Sequence, residues 1–163
     1  MKITRLECHI LKYPLQKPLV FSFGVRDHRA AAIIELFTDE GASGIAEFDW
    51  GGTTEGAKTL LSCFEERIFP KIKNCNPFEI QKIRQNLDPM AREWDRIYGS
   101  GDIDLALYDL VGKALKVPMY QLFGGKIRDE IPVYASALMT FNTIDELIHE
   151  AKGYVERGFM AMK

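Results

Sequence analysis

Few polar residues in this sequence fall at spacings that make chemistry by themselves. Asp104 and Asp109 lie about 140° apart if they share a helix, so they do not form a carboxylate dyad. Asp109 is placed instead to bond nearby backbone or Lys113, one helical turn on. His9, His28 and His149 do not recur at metal-ligand spacing. His9 alternates onto the polar face of a strand and His149 lies off the apolar stripe of a helix, which makes both of them solvent contacts. His28 adjoins the stretch FSFGVRDH and stays open as a functional residue. There is no glycine-rich phosphate loop and no G-x-S-x-G. What remains is two connections that mix aromatic, glycine and charged residues, and one terminal charge. The connections are FSFGVRDH, residues 21–28, with Phe23 and Arg26, and FDWGGTT, residues 48–54, with Trp50. The charge is Lys163, at the far end of the apolar run FMAM.

The elements that must position these residues follow from periodicity. In TRLECHI, Leu6, Cys8 and Ile10 share one face and Arg5, Glu7 and His9 the other, which is a strand. RAAAIIELF is a second, TDEGAS a turn with a glycine suited to positive φ, and GIAEF a third. Three strands in succession predict an antiparallel meander. Ala57, Leu60, Leu61, Phe64 and Ile68 then form one helical stripe. Asn76-Pro77, with Glu79 following, predicts a helix opening there, interrupted or ended by Pro89. A third helix from near Asp102 carries Ile103, Ala106, Leu107, Leu110 and Ala114, and Pro118 ends it. Gly112 is read as permitting close packing. After Gly124-Gly125, IPVYASAL reads as a strand. Thr143 to Glu146 is a capping box, and Ile144, Leu147, Ile148, Ala151 and Val155 are the next stripe. Gly158 is the C′ residue, and FMAM returns as a strand. That is one β-α-β unit, the building block of parallel sheets.

The chain has 163 residues, 47% hydrophobic and 27% charged, which allows one domain or one domain with part of another. Its 21 basic and 23 acidic residues are interspersed and sum to a net charge of −2, which argues against nucleic-acid or anionic-membrane binding through bulk charge. The three cysteines form no C-x-x-C and are read as reduced thiols in or near the core, as suits a cytoplasmic protein. No signal-peptide pattern opens the chain, and no apolar run approaches the roughly 20 residues of a membrane span.

The stretch ALYDLVGKALKVPMYQLFGG, Ala106 to Gly125, resembles the signature of the mandelate racemase/muconate lactonizing group of the enolase superfamily. Ala106, Asp109, Leu110, Gly112, Lys113, Pro118, Leu122, Gly124 and Gly125 carry the match. DEGASGIAE, TTEGA and GFMAMK resemble further family stretches in the right order. Two positions depart: Lys116 stands where the family usually has a glycine, and Phe123 where leucine is common.

The resemblance implies an α+β capping domain over residues 1–128, a three-stranded antiparallel meander followed by helices. Residues 129–163 would then hold the first β-α-β of an incomplete TIM-type barrel. It implies a Mg²⁺-dependent lyase or isomerase that removes the proton alpha to a carboxylate: a sugar-acid dehydratase, a racemase or a cycloisomerase. The Mg²⁺ ligands are expected beyond residue 163, with none in this chain, so the isolated chain would be inactive. Lys163 would be the catalytic residue here, the first lysine of K-x-K. It would contact the substrate carboxylate and lower the pKa of the lysine two positions on by like-charge repulsion. Phe23, Arg26 and Trp50 would bind substrate from two loops that close over the site. The implied partners are a small carboxylate-containing substrate and, at full length, further copies of the same chain, with no nucleic acid and no membrane. The alternative is a non-catalytic module, the cap retained for binding or oligomerisation. The end of the chain on a strand, at the first letter of a catalytic motif, favours the enzyme.

Overall fold

Alternation of apolar and polar residues along the first 48 positions builds a sheet with one buried face. The computed structural model describes residues 1–21, 24–48, 54–93, 100–138 and 143–163. Strands β1 (Ile3–Phe21), β2 (Gly24–Thr38) and β3 (Ser43–Phe48) lie side by side in that order as an antiparallel sheet. In the β2–β3 register, Ala32 faces Phe48, Ile34 faces Ala46 and Leu36 faces Gly44. All of these are buried, while the alternate pair Glu35 and Ile45 stands on the other face. The turn between the strands has Gly41 at φ 82°, and the Thr38 hydroxyl donates to the Ala42 carbonyl at 2.9 Å.

Both β1 and β2 outrun the segments their alternation marks. The expected connection 21–28 is mostly strand, and Arg26 and His28 lie on β2. The sequence hides this because Pro14 and Pro18 interrupt the pattern of β1. A proline removes a ladder donor, and β1 is an edge strand, where that donor is not required.

Helices α1 (Thr54–Cys63), α2 (Phe69–Ile72), α3 (Ile80–Glu93), α4 (Ser100–Leu115), α5 (Met119–Leu122) and α6 (Ile144–Glu156) follow. The stripe expected to run straight through Ile68 is broken by a wider π turn, Phe64–Ile68, in which the Phe69 N–H donates to the Phe64 carbonyl. Pro70 accounts for it, because a proline has no N–H for the carbonyl of Glu66 and its ring crowds that turn. The wider turn keeps Phe64, Ile68 and Ile72 buried together. The Asn76 side chain accepts from the Phe78 N–H at 3.1 Å as expected, but a turn intervenes and α3 opens at Ile80. It then continues through Pro89 rather than ending there.

Helix α4 lies against β3 and closes the core. Ile103, Ala106, Leu107 and Leu110 are fully buried, with Ile34, Leu36 and Phe48 across from them in one cluster. Gly44 makes this approach possible. A Cβ there would overlap the Ala106 carbonyl and sit 2.5 Å from both Cβ and N of Leu110. Asp109 performs both of its expected roles. Its Oδ2 accepts the Ile45 N–H at 2.8 Å and the Lys113 ammonium at 2.5 Å. Gly112 packs as expected too, with a Cβ there 3.0 Å from the Val117 carbonyl.

Helix α4 ends in a paired cap. The Lys116 N–H donates to the Lys113 carbonyl and the Val117 N–H to the Gly112 carbonyl, with Lys116 at φ 57°. Lysine therefore adopts the left-handed conformation for which the family uses glycine. Helix α6 ends the same way on Gly158 at φ 87°, with the rings of Tyr154 and Phe159 in edge contact at 5.6 Å across the cap. At its start, the Glu146 N–H donates to the Thr143 hydroxyl at 3.2 Å, as the capping box requires.

The flanking stretches IPVYASAL and FMAM do not form full strands. They pair in parallel at a single bridge, Ala135 with Met162. Two parallel segments alone gain little from pairing, because a stable sheet needs more strands or a covering layer. By compactness the chain divides into Met1–Lys12 with Ala30–Lys126, and Tyr13–Arg29 with Ile127–Lys163. No helix among the described residues is long and apolar enough to cross a membrane.

Two predictions test this packing. Gly44→Ala should destabilise the protein by about 1–3 kcal/mol, since neither helix backbone nor strand can yield cheaply. Gly153→Ala, mid-helix with nothing within 4 Å of its Cβ, should stabilise by about 0.5–1 kcal/mol. Urea denaturation of both variants checks the pair, and equal midpoints would refute the assigned role of Gly44. At the helix ends, Lys116→Gly should gain about 1 kcal/mol and Gly158→Lys lose a similar amount. A neutral result for both would mean that these caps do not hold the left-handed conformation in solution.

Candidate functional site

Lys163 is held by its backbone. Its N–H donates to the Ala135 carbonyl at 2.9 Å, and its own carbonyl accepts from the Ala137 N–H at 2.9 Å. The Ala135 N–H donates to the Ala161 carbonyl at 3.0 Å, so three bonds fix the parallel register. The side chain of Lys163 is exposed.

Arg26 falls in the same compact unit as Lys163, on the two-stranded arm formed by Tyr13–Arg29. Its guanidinium lies 5.3 Å from the ring centroid of Phe21 and is half-buried. An aromatic face supports a guanidinium without consuming its five donors, which stay available for a carboxylate or hydroxyl. His28, on the same side of β2 as Arg26, donates from Nδ1 to the Asp27 carboxylate at 2.6 Å. Lys17 of the arm and Glu146 in the first turn of α6 approach to 3.6 Å, an exposed pair of small energetic weight. Phe23 and Trp50 lie outside the described residues; the other two sequence candidates, Arg26 and Lys163, fall in the same compact unit.

The cysteines are free thiols, all half-buried. Burial pushes Cys8 up to about 11, with the Glu65 carboxylate adding to the effect, so Cys8 is not a nucleophile near neutral pH. Asp102, in the first turn of α4, is also raised above the usual carboxylate range by burial. His149 is exposed, as expected.

His9 has more than the expected solvent contact. It faces solvent, yet its Nε2 stands 3.8 Å from Glu7 Oε2 and 3.6 Å from Glu35 Oε2. Glu7 and His9 are two apart on β1, which the sequence shows. That Glu35 stands beside them depends on how β2 registers against β1, which it does not show. Among the described residues this is the group of His, Cys, Asp and Glu whose ligand atoms all lie within 4.8 Å of one another. It belongs to the other compact unit from Lys163. Its imidazole does not suit Mg²⁺, which takes oxygen ligands in near-octahedral array. The described residues therefore do not supply a site that fits the implied Mg²⁺.

Comparisons with known proteins agree with this architecture. Residues 5–124 match the family described as mandelate racemase / muconate lactonizing enzyme, N-terminal domain. An N-succinyl-L-Arg/Lys racemase of Bacillus cereus is 30% identical over 169 aligned residues, covering 100% of this chain and 44% of that protein. A D-xylonate dehydratase of Haloferax volcanii is 35% identical over 107 residues, 63% of this chain and 24% of that protein. The crystal structure of an enolase superfamily member from Polaromonas sp. JS666 superimposes with a TM-score of 0.83 at 30% identity, covering 99% of this chain and 43% of that one. The chain thus spans less than half the length of each of these relatives. With its sheet, its α4 signature helix and its parallel pair in the family's order, this chain belongs to the mandelate racemase/muconate lactonizing enzyme group of the enolase superfamily.

Proposed function

We propose that residues 1–128 and 129–163 are the capping domain and the opening barrel segment of a Mg²⁺-dependent enzyme that removes the proton alpha to a substrate carboxylate. The observation that carries this reading is the grouping of the Arg26 arm with the Lys163 segment in one compact unit. A cap that contributed only to folding would not need a long arm, bearing a guanidinium, associated with the strand end that carries a lysine.

Each residue has a role in this reading. Lys163, held through its backbone, presents its ammonium to the substrate carboxylate, where negative charge grows as the α-proton leaves. Arg26 binds an anionic or hydroxylated group at the far end of the substrate. Phe23, in excluding water, and Trp50, as a wall for the substrate, take the roles that the family resemblance implies for their two loops. The Mg²⁺ ligands belong to chain beyond residue 163. The substrate class favoured is an N-acylated amino acid, for which the racemase that aligns with the whole chain is named. A sugar acid is the second candidate, because the more locally aligned relative is named a dehydratase. The protein works in the cytoplasm, as an assembly of identical chains.

Steady-state kinetics of the intact protein test these roles against a panel of N-acyl amino acids and sugar acids. Arg26→Ala should raise KM and lower kcat/KM by about 10- to 100-fold, the loss of one charged hydrogen bond of about 1.5–3 kcal/mol. Lys163→Ala should instead depress kcat by about 10²-fold or more, because its interaction strengthens in the transition state. Unchanged constants for Arg26→Ala in a folded protein would make it an ordinary surface charge. A full kcat for Lys163→Ala would favour a non-catalytic role for this segment.

A further inference from the structure

The solvent face of the sheet carries a group that α-proton chemistry does not use. We propose that Glu7, His9 and Glu35 form a binding site for a transition-metal dication of the Zn²⁺ class. Three observations support it.

The first is the donor set. One imidazole nitrogen and two carboxylate oxygens are three donors of types that Zn²⁺ accepts, which would leave a fourth position for water. The same set disfavours Mg²⁺ and Ca²⁺, which select oxygen alone. The second is spacing. Nε2 of His9 lies 3.6 and 3.8 Å from its two carboxylate oxygens, too far for good hydrogen bonds. Ligands about 2.0–2.1 Å from a tetrahedral ion stand roughly 3.4 Å apart, and the three ligand atoms here lie within 4.8 Å of one another, so side-chain adjustments would seat the metal.

The third is support from neighbouring groups. Glu7 and His9 occupy alternate positions of β1, and Glu35 sits on β2, between Ile34 and Leu36, whose side chains are fully buried on the opposite face. The backbone under the group is therefore fixed by the core. The Arg5 guanidinium pairs with Glu7 Oε1 and rests 3.7 Å from the ring centroid of Phe37. That contact holds one carboxylate oxygen and leaves Oε2 turned toward His9, as outer partners of metal ligands commonly do. The three side chains are 39%, 44% and 25% exposed, so an ion can reach them from solvent. Bound there, the ion would link β1 to β2 across the strands.

The intact protein, first saturated with Mg²⁺, is titrated with Zn²⁺ by calorimetry, and the histidine side-chain nitrogen resonances are followed by NMR. The expected result is one Zn²⁺ equivalent that shifts the His9 imidazole signals. His9→Ala and Glu35→Gln should each weaken that equivalent at least about 10-fold, and Arg5→Ala by about 10-fold, while His149→Ala leaves it unchanged. Thermal unfolding should rise with Zn²⁺ in the unmodified protein and not in His9→Ala. Undisturbed His9 signals would overturn the site and leave only a histidine–carboxylate contact. Equal Zn²⁺ stoichiometry and affinity in all variants would overturn it as well. Glu35→Gln preserves side-chain size on an exposed face, and the NMR measurement needs no variant, so a folding defect in one variant does not decide the outcome.

Discussion

The contact between α4 and β3 is the constraint on which the rest of the capping domain depends. Gly44 has no side chain at the point where the helix backbone meets the strand, so Ala106 and Leu110 reach the sheet directly. Asp109 then accepts a backbone N–H from the outer edge of β3, which would otherwise be an unpaired sheet edge. Lys113 neutralises that carboxylate one turn further on. With α4 fixed in this way, Ile103, Leu107 and Leu110 complete the core begun by Ile34, Leu36 and Phe48. Helix α3 joins through Ile83 and Leu87, and through Arg84, whose Nε lies 3.4 Å from the Asp104 carboxylate.

The residues by which the family is recognised form this contact and the caps and turns that follow it. Ala106 lies under Gly44, Asp109 caps β3, Leu110 is in the core, and Gly112 and Lys113 supply carbonyls to the cap that ends α4. Pro118 opens α5, Leu122 packs on the core, and Gly124 and Gly125 end α5 at φ 95° and 101°. Each of the nine has a structural role. The signature reports the scaffold, and the same scaffold accommodates relatives named racemase and dehydratase. Substrate and reaction must then be set by residues outside the signature, which is why Arg26 and Lys163 bear the weight of the functional reading.

What the sequence shows and what it hides divide along physical lines. Local rules were legible: the alternation of Leu6, Cys8 and Ile10, the Thr143 cap, the Gly158 C′ position and the i,i+4 pair of Asp109 and Lys113. Each is decided within a few residues. The length of the arm was not legible, because Pro14 and Pro18 break the pattern while the edge position of β1 tolerates them. The π turn at Phe64–Ile68 also escaped, since a stripe with Phe64, Ile68 and Ile72 four apart fits either winding. The neighbours of His9 depend on inter-strand register, which alternation constrains only to a face. Of the candidate site, the identity of Lys163 rests on the family resemblance, and its placement at the end of a parallel pair on the backbone bonds to Ala135 and Ala137.

The central claim is that Lys163 acts on a carboxylate whose α-proton is being removed. The most direct measurement is loss of the α-proton signal of an N-acyl amino acid in D₂O, followed by ¹H NMR with the intact protein and with Lys163→Met. The account predicts exchange of the α-proton for deuterium by the unmodified protein, slowed by about 10²-fold or more in the variant. Exchange at an unchanged rate in Lys163→Met, with the fold intact, would contradict it.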